Sequence, residues 1–293
     1  MAEAAAPARR TICLCVDDFG MHSGVDSAAL RLADMGRVHA ISGLVGGKSW
    51  AMASPSLRRT DPLAIDIGLH LDLTETPLLG GSRRTLRERI LGTYLRLVDS
   101  SVIRAEIRAQ LDAFEQAMGR SPAFIDGHQH VHQLPVVRHE LLAELHARDR
   151  GSPPWIRSTR TAPGGRSRST GAAEWFKPQV IAWLGSRGLE SAARRLGYPQ
   201  NRHLWGVYDF QGGRSRYGKL LAHWFLSAAD GDLLMCHPSQ SSNEGDSLSH
   251  ARQAEFEVLA SDEFEAALRR AQLQLAPMSR ILTESGDGRR PPI

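Results

Sequence analysis

Short apolar runs alternate with amphipathic stretches along most of this chain, and that alternation leaves few folds open. Ile12-Cys13-Leu14-Cys15-Val16 is a continuous apolar run. The segment after it, GVDSAALRLADMGRV, carries Val25, Ala28, Ala29, Leu32, Met35 and Val38 at helical spacing, with Gly36 as a stop. HAISGLVGG reads as a second buried strand, WAMASPSLRR as a short helix, and LAIDIGLHLDLT at 63–74 as a third strand. Residues 101–118 have helical periodicity, AFIDGHQHVH is a strand running into a loop, and PVVRHELLAELHARD is another helix. Helices are predicted at 176–196, 216–229 and about 250–272, with a strand at 232–238, DLLMCHP. Strands alternating with helices predict an α/β fold of parallel strands joined by helical crossovers.

Residues 151–173 are rich in Pro, Gly, Ser and Arg around Trp155-Ile156, which itself looks like a strand. The stretch reads as a surface excursion of one domain, not as a boundary. Residues 1–9 and 284–293 are polar or Ala-, Gly- and Pro-rich and are expected to be disordered tails flanking a single domain at 10–283.

In parallel α/β architectures the carboxyl ends of the strands share one face, and sites are built there. ICLCV is followed by Asp17-Asp18, IDIGL by His70, AFI by Asp126, His128, His130 and His132, and DLLMC by His237. Each has a bland reading: an Asp pair as turn chemistry, a lone histidine as a satisfied core residue. Four such endings on one face are hard to obtain by chance. In DGHQHVH alternate residues share a face, so His128, His130 and His132 are expected to line one side. Two adjacent ionised carboxylates repel and need a metal, a cation or a shared proton to sit together. A mixed Asp/His donor set with no thiolate suits a divalent ion used as a Lewis acid. One carboxylate, Asp18, would then ligate the ion while Asp17 serves as general base toward water on it.

The bulk numbers narrow the partners. With 36 basic and 32 acidic residues the net charge is +4 and the pI about 9.2, and the arginines are spread along the chain. No basic block calls for nucleic acid. The three cysteines form neither a C-x-x-C pair nor a zinc-finger spacing, and Cys13 and Cys15 share one strand face, which suits packing. MAEAAAPARR has no apolar core of a signal peptide, and no run reaches the length of a membrane span. A cytoplasmic, reducing setting is expected.

VDDFG, GLHLDLTE, DGHQHVH and CHP, in this order, resemble the four blocks of the YdjC-like carbohydrate deacetylases. GDSLSHARQAEFEVLAS, with Asp246, Arg252 and Glu255, looks like the entrance to that family's C-terminal helix, so the likeness runs from about residue 10 to about 270. The resemblance implies an irregular (β/α) barrel, one divalent metal ion (Mg2+ or Zn2+) and removal of an N-acetyl group from an amino sugar, an N-acetylated glycan or a glycolipid. It also implies Asp18, His70 and His128 as metal ligands and Asp17 as base. His237 would be the proton donor or an oxyanion-side residue, and Asp126 would orient a histidine. His130 and His132 are left as supporting or substrate residues, and Arg157, just after a strand, as a contact to a sugar or phosphate. The chain departs from the family at Cys15-Val16, where Asn-Ala is common before the Asp pair, and at Ser239, where Gly often follows His-Pro. An N-acetylated sugar or oligosaccharide is the expected partner, and a homodimer is compatible with the chain. Two alternatives stay open: another divalent-metal hydrolase such as a phosphoesterase, and an inactive barrel that only binds carbohydrate.

Overall fold

The computed structural model describes residues 10–80, 84–148, 151–162 and 185–286. The expected N-terminal tail, most of the C-terminal one, and the 176–184 part of a predicted helix lie outside the described residues. Eight parallel strands form the sheet: β1 Arg10–Phe19, β2 Ala40–Gly43, β3 Asp66–Leu71, β4 Phe124–Gly127, β5 Trp155–Ile156, β6 Leu204–Trp205, β7 Leu233–Cys236 and β8 Leu273–Leu275. Their order is β5-β4-β3-β2-β1-β7-β6, with β8 pairing β1. β1 serves two neighbours on that side: Arg10, Thr11 and Ile12 pair with β8, and Cys13 to Val16 pair with β7.

The sheet curls until its two-residue edge strands meet. No ladder joins β5 to β6; instead Leu204 N–H donates to Arg160 O and Ile156 N–H to Pro199 O, each at 2.8 Å. Asn201 completes the seam, its Oδ1 accepting from Ser158 N–H (2.7 Å) and its Nδ2 donating to the carbonyls of Ser158 and His203 (3.0 Å each). The result is a single irregular (β/α) barrel, as the family resemblance implied, built of the parallel strands that the strand–helix alternation implied.

Strand parity divides the apolar residues into two cores. Ile12, Leu14, Val16, Ile41, Leu69, Ile125, Ile156, Leu234 and Cys236 face outward beneath the helices. Cys13, Cys15, Ala40, Phe124, Trp155, Leu204, Leu233 and Met235 face inward and meet Met278, Ile281 and Leu282 of the last helix, Met278–Glu284, which plugs the barrel beside the start of β3. All three cysteines are free and buried. Gly68 has to be a glycine, because a Cβ there would come within 2.5 Å of the Phe124 ring that fills the interior.

Among the described residues the helices are α1 Ser23–Asp34, α2 Trp50–Arg58, α3 Leu86–Tyr94, α4 Ser100–Met118, α5 Pro135–Ala147, α6 Ser186–Arg195, α7 Gly213–Ser227, α8 Ser249–Leu259, α9 Asp262–Arg270 and α10 Met278–Glu284. Local chemistry sets their ends. Asp99 caps α4 by accepting from Ser101 N–H, and Gly119 ends it in the left-handed region (φ 68°). Thr85 and Glu88 form a capping box on α3. The helix expected over 250–272 is two helices, because Ser261 with Asp262, Glu263 and Glu265 starts a new first turn. Among the described residues, no helix is long and apolar enough to cross a membrane.

Candidate active site

The parity that fills the barrel also delivers the chemistry. Cys13, Cys15 and Asp17 share the inward face of β1; Ser42, His70 and Asp126 take inward positions on β2, β3 and β4. Arg157 follows Trp155 at the same parity, and His237 follows Met235. Asp18 has the wrong parity, and its backbone corrects this. The register of β1 slips between Val16 and Phe19, and Asp18 takes φ 67°, turning its side chain toward its neighbour's side of the sheet.

Two tiers of charge result. In the upper one, Asp18 Oδ1 lies 2.9 Å from His128 Nδ1 and 3.3 Å from His70 Nε2. Donor atoms of Asp18, His70 and His128 all fall within 4.8 Å of one another, and all three residues are buried. His70 Nδ1 sits 2.7 Å from Asp126 Oδ1, which also accepts from the Ser42 hydroxyl (2.5 Å). With Nδ1–H donating to Asp126, Nε2 faces Asp18 and is the nitrogen that loss of a proton would free for a metal ion. Burial alone would raise the Asp18 carboxyl, yet the charges of Arg252 and His128 hold it well below the usual range. Burial opposes charge on His70 too, but Asp126 and then Asp18 raise it to about 9. Two imidazoles and a carboxylate converging in a buried place, each fixed from behind, fit a divalent ion.

In the lower tier, Arg157 is fully buried and grips Asp17 through both oxygens, NH1 to Oδ2 at 2.6 Å and NH2 to Oδ1 at 2.7 Å. The same NH2 lies 3.0 Å from Cys15 Sγ and 2.5 Å from Asp126 Oδ2. Cys15, Asp17 and Asp126 also converge as metal donors do, but the guanidinium already supplies the cation there. Against the cost of burial, Arg157 holds the Asp17 carboxyl far below its ordinary range. The expectation that Arg157 contacts a sugar or phosphate is therefore corrected. It stands behind Asp17, one residue past β5, and does not line the cleft.

Above the tiers opens a cleft of about 1050 Å³, lined by Asp17, Asp18, His70, His128, His130 and His237, with apolar walls from Leu86, Ile90, Leu134, Val207 and Phe210. His237 Nε2 is 3.8 Å from Asp17 Oδ2, and burial pushes its pKa down to about 4, so the imidazole is neutral at rest. Asp72 accepts from Thr74, Glu75 and Thr76 N–H and so shapes the loop that brings Glu75 Oε1 to 3.4 Å from His128 Nε2.

DGHQHVH does not stay extended. His128–Gln133 is a 3₁₀ segment in which Gln129 and His130 take φ 51° and 60°, so alternate residues no longer share a side. His128 meets Asp18 and His130 lines the cleft. His132 is turned away, its Nε2 3.0 Å from Arg157 O, and burial pushes its pKa down to about 4. Sequence reasoning passed over Ser42, which has no local signature in AISG, and Glu75, which does stand inside GLHLDLTE. It noted Arg252 and Asp246 without a role. Arg252 NH2 donates to Asp18 Oδ2 at 2.7 Å, and its Nε faces Asp246 Oδ2 at 2.7 Å.

The family model for YdjC-like proteins matches residues 11–270. A human protein named carbohydrate deacetylase is 29% identical over 234 residues, covering 75% of this chain and 68% of its own. A chitooligosaccharide deacetylase of Escherichia fergusonii is 28% identical over 134 residues, 44% of this chain and 52% of that one. A crystal structure assigned as a cellobiose-phosphate cleavage protein from Enterococcus faecalis V583 superposes with a TM-score of 0.66 at 19% identity, over 94% of this chain and 99% of the other, a likeness of fold. With more than half of its length matched, strand-end motifs included, this chain belongs to the YdjC-like protein family.

Proposed function

We propose that this protein is a metal-dependent hydrolase that removes an N-acetyl group from an amino sugar or an N-acetylated oligosaccharide. The observation that carries the reading is the buried Asp18/His70/His128 set beside an Arg-held Asp17, at the floor of an open cleft. The names of the relatives, carbohydrate deacetylase and chitooligosaccharide deacetylase, supply the substrate class.

Asp18, His70 through Nε2 and His128 through Nδ1 would hold the ion. Two imidazole nitrogens with one carboxylate favour a zinc-class ion over Mg2+, which prefers an all-oxygen shell. A divalent ion bound there supplies Lewis-acid polarisation and eases ionisation of water. Asp17, ionised and fixed through both oxygens, takes the proton of the attacking water. His237 is neutral at rest, so the proton it gives to the departing amine has to arrive during the reaction. Protonated Asp17, 3.8 Å away, is the nearest source. One proton thus passes from water to Asp17, to His237 and to the amine, with no net uptake. Phe210, edge-on to His237 with ring centroids 5.3 Å apart, offers the sugar an apolar wall. A phosphoesterase is less well supported, since Arg157 is consumed by Asp17 and Asp126. We place the protein in the cytoplasm, on its three unpaired cysteines.

The test is release of free acetate from a panel of N-acetylated sugars, with and without chelator, alongside metal analysis. Chelator-sensitive acetate release is expected. Hydrolysis of phosphate esters without acetate release from any sugar would overturn the reading in favour of the phosphoesterase.

A further inference from the structure

Glu255 is a carboxylate fully buried on α8, and nothing in the reaction as proposed requires it. Burying such a group is costly unless its oxygens are engaged. Both are. Oε2 accepts the backbone N–H of His237 at 2.6 Å, and Oε1 accepts the hydroxyl of Tyr208 at 2.8 Å. His237 is the residue after β7 ends, where the ladder no longer fixes the chain. One turn earlier on α8, Arg252 NH1 lies 3.4 Å from His237 O, and Ser239 N–H donates to Arg252 O at 3.0 Å. The helix therefore grips His237 from both sides of its backbone. Tyr208 gives Glu255 a second route to the same imidazole. It packs on Phe210 at 4.7 Å, and the Phe210 ring meets the edge of His237.

We propose that Glu255 is a positioning residue for His237, fixing the imidazole toward Asp17 through the His237 amide on one oxygen and the Tyr208–Phe210 wall on the other. The proposal rests on His237 being the proton donor. A carboxylate suits the task because both of its oxygens can accept, one from the His237 amide and one from the Tyr208 hydroxyl. A glutamine can accept from the His237 amide only with its NH2 turned to Tyr208, whose hydroxyl must then accept in place of donating.

The test is a double-mutant cycle with N,N′-diacetylchitobiose and 4-nitrophenyl acetate as substrates. Glu255→Ala and Glu255→Gln are each made alone and with His237→Ala, and metal content is measured for every variant. Alone, Glu255→Ala is expected to lower kcat on the amide roughly 10–100-fold, up to the lower bound of what a positioned proton donor contributes. KM and metal content should hold, and the activated ester, whose leaving group needs little protonation, should lose less. Combined with His237→Ala it should cost nothing more. Glu255→Gln should fall between. Equal losses with and without His237 would overturn the proposal, as would an unchanged kcat in Glu255→Ala. If His237→Ala itself costs nothing on the amide, the proton-donor reading fails first and takes this proposal with it. Should Glu255→Ala not fold, Glu255→Gln and Tyr208→Phe carry the same cycle. Ring resonances of 15N-labelled histidine give a readout independent of turnover: His237 should shift or broaden in the Glu255 variants while His203, on its own Asp232, stays put. An unmoved His237 would sink the idea.

Discussion

Asp17 and Asp18 are adjacent in sequence and opposite in parity, yet both side chains line one cleft, and the left-handed backbone of Asp18 is what reconciles them. Asparagine tolerates that region about as well as aspartate. Asp18→Asn should therefore keep the turn while losing charge, and it should lose bound metal and activity together, as should His128→Ala. Full metal occupancy by elemental analysis in either variant would remove that residue from the ligand set. Asp17→Asn should behave differently, keeping the metal and losing roughly 10²–10⁴ in rate if the residue is a general base. An emptied site in that variant would mean that the two carboxylates exchange or share roles. The identities of these residues were legible because strand ends carry them and parity is fixed by the period of two. Their orientation was not. A positive φ leaves no mark in VDDFG, and the 3₁₀ turn that separates His128 from His132 is invisible in a string of alternating histidines.

At the scale of the element, α8 does the most for the site, and its sequence advertised this least. Arg252 and Glu255, one turn apart, reach Asp18 and His237. Burial raises the Glu255 carboxyl from 4.5 to about 7, against the His237 amide, the Tyr208 hydroxyl and the charge of Arg252, while Asp17 adds to the rise. Tyr217 and Cys236 also face it, both neutral through the physiological range. A folded-state pKa above the unfolded one means that protons favour the fold. The contribution is complete below about pH 4.5 and lost as pH rises through about 7. Glu255→Gln lacks this titration, so the Tm advantage of wild type over the variant should shrink between pH 5 and 8. A constant difference across that window would mean that Glu255 does not titrate there. Most helices and strands of ordinary length were legible from periodicity, but α3, nine residues long, was passed over. β6 and β8, of two and three residues, were not read, whereas the equally short β5 was marked by Trp155-Ile156 standing apolar in a polar stretch. The break at Ser261 needed its capping signature to be weighed against an unbroken apolar period.

The whole molecule closes on its weakest seam, and the site depends on that closure. Between β5 and β6 a side chain, Asn201, stands in for a ladder rung, buried and bonded to Ser158 twice and to His203 once. Ser158 follows Arg157, the cation that holds Asp17 and Asp126 in place. Where Arg157 goes could not be read locally, because it depends on β5 lying beside β4 and on the sheet curling round to β6. Asn201→Ala removes three buried hydrogen bonds at roughly 1 kcal/mol each, stripping the Ser158 backbone of its partners while His203 O keeps Leu233 N–H. It should lower Tm by roughly 5–10 °C. Because the seam carries Arg157, the same variant should also lose kcat while its metal content holds, since Asp18, His70 and His128 come from β1, β3 and the segment after β4, and none from β5 or β6. Differential scanning calorimetry with metal analysis and acetate release separates the outcomes. A lowered Tm with unchanged turnover would mean that Asp17 is held without the seam. An unchanged Tm would mean that the barrel is closed by something other than Asn201.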